Sequence, residues 1–218
     1  MKPLVLITYR NRATHLSCLS LHLNKYFPEL QLAVIEQDDN NVWNKGLLYN
    51  VGYKELVDQY DYIILHDVDW IPVVGKVDYS YCELPTMIGG AASQFNYKLF
   101  YHSFFGGVVV CSKEHYEQVN GFSNKFRGYG GEDDDFRRRF ISKGIQTEIK
   151  TGVFECFHHP RPDNKPGSDF FYSKDYQHNL QILKQPVDYS DGLSSAEYTI
   201  TDRIDYDNYI NIKIKTNG

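Results

Sequence analysis

Apolar residues in the first third of the chain recur with two spacings, and these alternate along the sequence. Pro3–Thr8 is an apolar run of buried-strand length, and Ala13–Phe27 carries leucines at helical spacing. A strand at Gln31–Glu36, a helix over about 44–57 and a strand within Tyr60–Asp69 follow. Alternating strands and helices predict an α/β fold with a mostly parallel central sheet and helices on both faces, whose ligands bind beyond the strands' carboxyl ends.

The pattern after Pro72 is less regular, and it predicts shorter elements. Pro160–Ser168 is rich in Pro, Gly and charge, which is typical of a mobile loop. No linker or repeat interrupts the chain, so residues 1–218 are expected to form one domain. The predicted elements are short strands at 88–94 and 105–112, helices at 113–119, 132–143 and 173–183, and strands at 196–201 and 209–215.

Charge and composition narrow the possible functions. A net charge of -5 argues against a general binder of nucleic acid or of anionic membranes, because such proteins present a basic face. The 18 tyrosines suit a site for sugars or bases, although most are expected to fill strands and core edges. Four cysteines without a CxxC pair indicate neither a zinc site of that type nor a disulfide framework, so reduced thiols are expected.

The most unusual segment is Gly128–Phe140, GYGGEDDDFRRRF, in which four consecutive acids follow a glycine pair. Adjacent like charges repel and glycines lose conformational freedom on folding, so this segment is unfavourable as mere structure. Acids at a helix start are favoured by the helix dipole, and a carboxylate held there can act as a base. A solvated, acidic helix cap is the alternative interpretation.

Two further clusters carry ligand chemistry. Asp67 and Asp69 end an apolar strand and, two residues apart, share one face, where their oxygens suit Mg or Mn; a solvated turn is the alternative. Cys156, His158 and His159 offer a sulfur and two imidazoles to the same kind of ion, although a histidine is often structural. Neighbouring histidines on a strand face opposite sides, so one of the pair is expected to bind.

Taken in order, these residues resemble the β-1,4-galactosyltransferase family of inverting glycosyltransferases. The resemblance extends over nearly the whole chain, and GYGGEDDD after an FGGVV strand is its most specific part. The matching segments are TYRNR (8–12), WNKGLLYNVG (43–52), YDYIILHDVDWIP (60–72), FFGGVVVCS (104–112), NGFSNKFRGYGGEDDDFRRR (120–139) and SDGLSSAEYTI (190–200).

The resemblance implies a GT-A fold, with residues of about 1–112 mainly forming the donor and metal half and about 113–218 the acceptor half. It implies Mn(2+)-dependent transfer of galactose from UDP-galactose. Asp69 matches the family's metal-binding Asp. The family usually adds two further ligands, a histidine and a methionine that lies three residues before that histidine. His159 with Cys156 keeps that spacing but replaces methionine by cysteine, and His158 is the alternative.

The resemblance also assigns donor-binding residues. Arg10 and Arg12 match arginines near the nucleotide, where guanidinium fits phosphate. Trp43 and Lys45 match an aromatic and a basic residue near uridine and phosphates, although Trp43 is equally expected as a core anchor. Three further donor contacts are expected from the DVD and FGG motifs, which supply Asp67, Gly106 and Gly107.

On the acceptor side, the resemblance makes Asp133 the catalytic base. Glu132 and Asp134 are expected to bind acceptor hydroxyls, with Tyr129 and Gly130 forming the glycine-rich platform and Asp135 a structural helix acid. The family usually has tryptophan at two positions where this chain has Tyr129 and Arg127, so the acceptor is expected to differ from terminal N-acetylglucosamine.

Phe104 stands where many relatives have a tyrosine whose hydroxyl disfavours an N-acetyl group on the donor. This replacement predicts relaxed discrimination between galactose and N-acetylgalactosamine donors. The nearest alternative function is therefore transfer of N-acetylgalactosamine or glucose by the same fold. A Mn-dependent UDP-sugar hydrolase and a binding module without turnover are more distant alternatives.

No stretch has the length of a membrane span, and Pro3–Arg10 is too short for a signal peptide. Golgi members of the family begin with a membrane anchor. The sequence therefore predicts a cytoplasmic enzyme of bacterial or viral type, acting on a glycan or glycolipid acceptor.

Overall fold

The computed structural model describes residues 1–158 and 173–217. Its strands are β1 (Pro3–Tyr9), β2 (Gln31–Gln37), β3 (Tyr62–Asp67), β4 (Trp70–Pro72), β5 (Thr86–Met87), β6 (Ala91–Ala92), β7 (Val108–Ser112), β8 (Glu148–Ile149), β9 (Val153–Cys156), β10 (Tyr198–Asp205) and β11 (Ile210–Thr216). Its helices are α1 (Ala13–Tyr26), α2 (Lys45–Leu56), α3 (Lys113–Gln118), α4 (Glu132–Ser142) and α5 (Lys174–Leu183), and short 3₁₀ turns lie at Val57–Gln59, Ser93–Phe95 and Leu193–Ser195.

The described strands form a large sheet in the order β10-β11-β2-β1-β3-β7-β5-β8 and a small one in the order β4-β9-β6. In the large sheet β11, β2, β1 and β3 run parallel to one another. The sheet then turns antiparallel at β7, which pairs with β3 and with β5, and β10 is antiparallel to β11. The carboxyl ends of β1 and β3 therefore meet at one edge, with Thr8 beside Asp67.

Helices cover both faces of the sheet, as the sequence predicts, because β1 alternates its side chains between two cores. Leu4 and Leu6 pack into the core that contains α2 and Phe136 of α4. Val5 and Ile7 point the other way, into the core that contains α1. This period of two in a fully apolar strand is the pattern of a strand buried on both faces.

Three sequence-based expectations need correction. The sheet is only partly parallel, because the return strand β7 enters against β3. The strand expected at 88–94 is reduced to β6, since a 3₁₀ turn begins at Ser93. The strand expected at 105–112 begins only at Val108, because Gly107 has a positive φ of 76° that breaks extended geometry. The loop predicted at 160–168 lies outside the described residues.

Candidate active site

Three distant segments of the chain meet on one ammonium group. Nζ of Lys45 lies 2.9 Å from Asp67 Oδ1, 3.1 Å from Asp133 Oδ1 and 3.6 Å from Glu132 Oε1. Nζ also hydrogen-bonds the second carboxylate oxygen of Asp133 at 3.2 Å. The acids at the end of β3 and those at the start of α4 thus share one buried counterion.

Local hydrogen bonds set the position of Lys45 at the first residue of α2. The preceding residue, Asn44, caps the helix by accepting a hydrogen bond from Leu47 N at 3.0 Å. Asn44 also donates through its side chain to Asn124 O at 2.8 Å, and its backbone N–H donates to Gln37 Oε1. The cap therefore ties the start of α2 both to β2 and to the segment that leads into the glycine-rich motif.

Burial and charge perturb these groups strongly. Burial raises the pKa of Asp133 well above its usual range; Lys45 opposes this rise, and the charges of Glu132 and Asp67 add to it. Burial alone would lower the pKa of Lys45, but the nearby charges of Asp133 and Asp67 raise it well above its ordinary value. A carboxylate with a raised pKa is a better proton acceptor near neutral pH.

The FGG segment packs closely against Asp133, the candidate base. A Cβ atom added to Gly106 would lie 2.3 Å from Asp133 Oδ2, so the carboxylate occupies the space that a side chain would take. At Gly107 a Cβ would lie 2.5 Å from the Trp70 ring, and its φ of 76° disfavours other residues. The absence of a side chain at Gly106 therefore leaves the space in which the Asp133 carboxylate lies. At Gly107, glycine is required by the backbone conformation and by the packing of Trp70.

We expect alanine at these two glycines to give different results. Gly106→Ala should displace the Asp133 carboxylate and lower kcat by about a hundredfold, with a small change in melting temperature. Gly107→Ala should destabilise the fold by roughly 2 kcal/mol or more through steric overlap and positive φ. Steady-state kinetics and thermal unfolding measure the two effects; a fully active Gly106→Ala enzyme would contradict the role of this contact.

The remaining acceptor-side residues surround the start of α4. Asp134 accepts a 2.6 Å hydrogen bond from the hydroxyl of Tyr101. Burial raises the pKa of Asp134, and this hydrogen bond opposes the rise. Tyr129 is 37% exposed at the surface of the loop before α4, and Gly130 follows it with a positive φ. The predicted acceptor residues therefore lie next to one another, and Tyr101 joins them.

The predicted donor residues form a second group. The Arg10 guanidinium lies 5.4 Å from the centre of the Trp43 ring and donates to Asn41 O at 2.7 Å. Trp43 is half-buried and packs against the larger core, so its anchor role and its place beside Arg10 coexist. Arg12 is half-buried at the start of α1. Trp43 O also accepts a hydrogen bond from Gly128 N at 2.7 Å, which joins this group to the glycine-rich loop.

Two of the predicted metal ligands, Asp69 and Cys156, lie beside the same sheet edge. Asp69 is buried, and its carbonyl accepts a hydrogen bond from Phe157 N at 2.9 Å. Cys156 lies in β9, opposite Trp70 of β4, which places its backbone beside the DVD turn. Burial, followed by the charge of Asp69, raises the pKa of the Cys156 thiol to about 11.

A carboxylate and a sulfur are thus neighbours here; the carboxylate suits Mn(2+), and the sulfur is a softer ligand than Mn(2+) usually takes. Within residues 1–158 and 173–217, no three His, Cys, Asp or Glu side chains are arranged as a metal site. His158 is exposed, and His159 lies outside the described residues. Two of the four predicted ligands are therefore brought together.

Asp135 is the structural helix acid that the sequence predicts, but its contacts were not predicted. Asp135 receives a 2.8 Å hydrogen bond from Arg139, whose guanidinium also donates to backbone carbonyls of Val119, Asp188 and Asp191. The i, i+4 spacing of Asp135 and Arg139 was a usable signal for this pair. The partners in the 188–191 segment gave no local signal.

His66, directly before the DVD acids, is a second residue that the sequence did not single out. Its Nδ1 donates to Asp67 O and its Nε2 accepts from the Tyr79 hydroxyl, both at 2.9 Å. Burial lowers the pKa of His66 to about 4, so the imidazole is neutral. It therefore supports the end of β3 as a hydrogen-bonding group and not as a charge.

The sheet with its strand-end acids, helices on both faces and an acidic helix start define a glycosyltransferase of the GT-A fold. Comparison with known proteins makes the class more specific. Residues 1–83 match the model of the N-terminal region of glycosyl transferase group 7, and residues 87–161 match the N-terminal domain of galactosyltransferase. The chain belongs to the β-1,4-galactosyltransferase family.

Individual relatives agree with this assignment. Mouse (Mus musculus) β-1,4-galactosyltransferase 6 is 34% identical over 98% of this chain and 56% of its own length. A β-N-acetyl-D-glucosaminide β-1,4-N-acetylglucosaminyl-transferase of Lymnaea stagnalis is 39% identical over 72% of this chain and 34% of its own. The chain thus spans only part of the length of these relatives.

Solved structures give the same fold. The catalytic domain of Drosophila β-1,4-galactosyltransferase 7, in complex with xylobiose, matches with a TM-score of 0.81 and 26% identity over 99% of this chain and 94% of that chain. A D211N mutant of that Drosophila enzyme, in complex with manganese, UDP-Gal and xylobiose, has the same TM-score at 24% identity.

The expectation of a cytoplasmic enzyme of bacterial or viral type is wrong. The relatives reported above are animal proteins, and among them the β-1,4-galactosyltransferases are Golgi enzymes. The described residues contain no helix that is long and apolar enough to cross a membrane.

Proposed function

We propose that this chain catalyses inverting transfer of galactose from UDP-galactose to a sugar hydroxyl of a glycan or glycolipid acceptor, forming a β-1,4 linkage. One observation carries the proposal: Lys45 binds both Asp67, at the DVD end of β3, and Asp133, at the start of α4. An inverting transferase needs residues that serve the departing diphosphate and a base that serves the attacking hydroxyl, and the two must lie no further apart than the length of one sugar. Here both carboxylates contact the same ammonium.

Asp133 acts as the base in this proposal. The acceptor oxygen attacks the anomeric carbon from the face opposite UDP, forming a new C–O bond while the bond to the diphosphate breaks. A hydroxyl is too weak an acid to ionise beforehand, so Asp133 takes its proton as the new bond forms. The raised pKa of Asp133, caused first by burial, suits this task.

Acceptor recognition falls to the neighbours of Asp133. Glu132 and Asp134 accept hydrogen bonds from acceptor hydroxyls, and Tyr101 holds the Asp134 carboxylate in place. Tyr129 and Gly130 provide a partly exposed platform on the same side. Arg10, Arg12, Trp43, Gly106 and Gly107 bind the donor, with the donor and acceptor halves divided near residue 112.

Asp69 and Cys156, with His159 or His158, are the residues that would hold Mn(2+). When bound there, such an ion supplies positive charge to the diphosphate leaving group. The position of Cys156 in β9, opposite Trp70 and beside the DVD turn, supports this ligand set. Lys45, bound to Asp67, adds a second positive charge at the same strand end.

We expect metal binding to depend on Asp69 and to show the cysteine spectroscopically. Asp69→Asn should weaken Mn(2+) binding about tenfold or more, because the metal loses a charged ligand. Wild-type protein with Co(2+) should show thiolate charge-transfer absorption that Cys156→Met lacks, while Cys156→Met still binds Mn(2+). Electron paramagnetic resonance titration and absorption spectra measure both; identical Co(2+) spectra would exclude Cys156 as a ligand.

A second donor deserves a direct comparison. The Lymnaea relative is by its name an N-acetylglucosaminyl-transferase, and Phe104 has no hydroxyl to oppose an N-acetyl group. Phe104 packs beside Trp70, with ring centres 6.5 Å apart, against the FGG segment. Transfer of an N-acetylhexosamine is therefore the second candidate function.

The deciding experiment is a donor and acceptor array with Mn(2+) present and then chelated. UDP-galactose, UDP-glucose, UDP-N-acetylgalactosamine and UDP-N-acetylglucosamine are each offered with β-linked xylose, glucose and N-acetylglucosamine acceptors, and products are identified by mass spectrometry. Metal-dependent, acceptor-dependent product from UDP-galactose supports the proposal. Product from an N-acetylhexosamine donor alone supports the second candidate, and no product from any donor overturns both.

A further inference from the structure

One buried amide side chain holds the loop that leads into α4. Asn179 of α5 is 1% exposed and donates from Nδ2 to the carbonyls of Arg127 and Gly130, both at 2.8 Å. Nδ2 also lies 3.3 Å from Tyr129 O, and Oδ1 accepts from Arg127 N at 3.2 Å. Both ends of the amide are therefore bound to the backbone of residues 127–131, called here the glycine loop.

The glycine loop lies directly against α5. A Cβ at Gly130 would be 2.9 Å from the Tyr176 ring, and a Cβ at Gly128 would be 2.9 Å from Asp175 Cβ. On its other side, Gly128 N donates to Trp43 O at 2.7 Å. The loop is thus held between α5 and the donor-side segment, with little space for displacement.

The position of this loop decides where the acceptor groups lie. Tyr129 belongs to the loop, and Glu132 and Asp133 follow Gly131, the N-cap residue of α4. A buried amide that satisfies two carbonyls and one N–H leaves those groups unpaired when it is removed, and an unpaired buried group is unfavourable. Loss of Asn179 should therefore loosen the loop and not merely delete one contact.

We propose that Asn179 is a positioning residue of the acceptor site, which fixes the glycine loop and thereby the platform of Tyr129. The proposal rests on the transferase function proposed above. It predicts that acceptor binding depends on Asn179 while donor binding does not, because the hydrogen bonds of the Asn179 side chain within the described residues go to the glycine loop and not to the donor residues Arg10 and Trp43. A purely structural residue would instead lower stability and affect both substrates alike.

The test compares Asn179→Ala and Asn179→Asp with Gln181→Ala, an exposed amide two residues further on the same helix. The aspartate keeps an acceptor for Arg127 N–H but loses the donors and sets a charge against two carbonyls. Both Asn179 variants should raise the acceptor KM about tenfold, with the donor KM within about twofold, as expected for lost hydrogen bonds. Gln181→Ala should leave both KM values unchanged.

Amide exchange provides a readout that needs no activity. In glycine-labelled protein, the Gly128 N–H is bonded to Trp43 and not to Asn179, so its exchange should accelerate about tenfold only if the whole loop loosens. Unchanged Gly128 exchange in Asn179→Ala overturns the proposal, as does a loosened loop with unchanged acceptor KM. If the wild-type protein transfers no sugar, the proposed function fails, and the acceptor-positioning role fails with it, whatever the exchange shows of the loop.

Discussion

Asp133→Asn is expected to lower kcat for sugar transfer by about a thousandfold, since a positioned general base contributes roughly 10²–10⁴. The asparagine has nearly the same shape but cannot accept the proton of the attacking hydroxyl. Lys45 keeps Asp67 and Glu132 as partners, so the variant should fold. The measurement is the initial rate of glycoside formation at saturating donor and acceptor, with thermal unfolding to confirm folding.

Asp205→Asn on the exposed β10 is the matched control and should be indistinguishable from wild type. Release of UDP without acceptor must be followed in parallel. If Asp133→Asn retained transfer to within about tenfold, another group would have to be the base. If it lost transfer and showed no acceptor-independent release of UDP, the hydrolase alternative would also be excluded, because hydrolysis that does not need Asp133 would be spared in this variant.

The sequence predicted the elements that carry a long periodic signal. The helix starts at Ala13, Glu132 and Lys174 agree with the sequence within one residue. Apolar spacing marks the first, the run of acids marks the second, and the capping residue Ser173 marks the third. Strands of two to four residues, such as β5, β8 and β9, contain too few positions for a period to be visible. Their partners are distant in the sequence, because β5 pairs with β7 and β8, and β9 pairs with β4.

The same distinction holds for the site. Motif residues such as Asp67 and Asp133 were found because their type and spacing are unusual. Their shared contact with Lys45 was not predicted, because positions 45, 67 and 133 are distant in the sequence and are brought together by the topology of the sheet. Tyr101 and Asn179 were missed for the same reason, since each acts on a partner more than 30 residues away. The sequence thus identifies the chemical groups of the site, and the fold determines which of these groups are in contact.

Lys45→Met is expected to damage both stability and activity. The Lys45 side chain is 11% exposed, and removing it leaves Asp67, Glu132 and Asp133 without their shared counterion. Breaking a buried ion pair by removing one partner costs about 3–5 kcal/mol, and the partial exposure of these side chains places the expected loss near the lower end. Activity should fall about a hundredfold or more, because Asp133 loses the contact that orients it.

The pH dependence of this loss has a definite sign. The folded pKa of Lys45 is raised, so its stabilising contribution is fully present below its unfolded pKa and is lost only at alkaline pH, as pH rises through the folded value. At acidic pH, the protonation of the carboxylates determines how the stability difference changes. Once they are protonated in both states, Lys45 has no charged partners, so the stability gap between wild type and Lys45→Met should narrow from pH 7 towards about pH 4.

Two controls separate charge from packing. Lys45→Arg keeps a cation within reach of the three carboxylates and should retain most of the stability. Lys125→Met removes an exposed ion pair, in which Nζ lies 2.7 Å from Asp188, and should cost less than about 1 kcal/mol. Urea unfolding between pH 4 and pH 8 gives the comparison. A Lys45→Met protein as stable as Lys125→Met at pH 7, or a gap that widens on acidification, would show that Lys45 is not the counterion that joins the two acidic motifs.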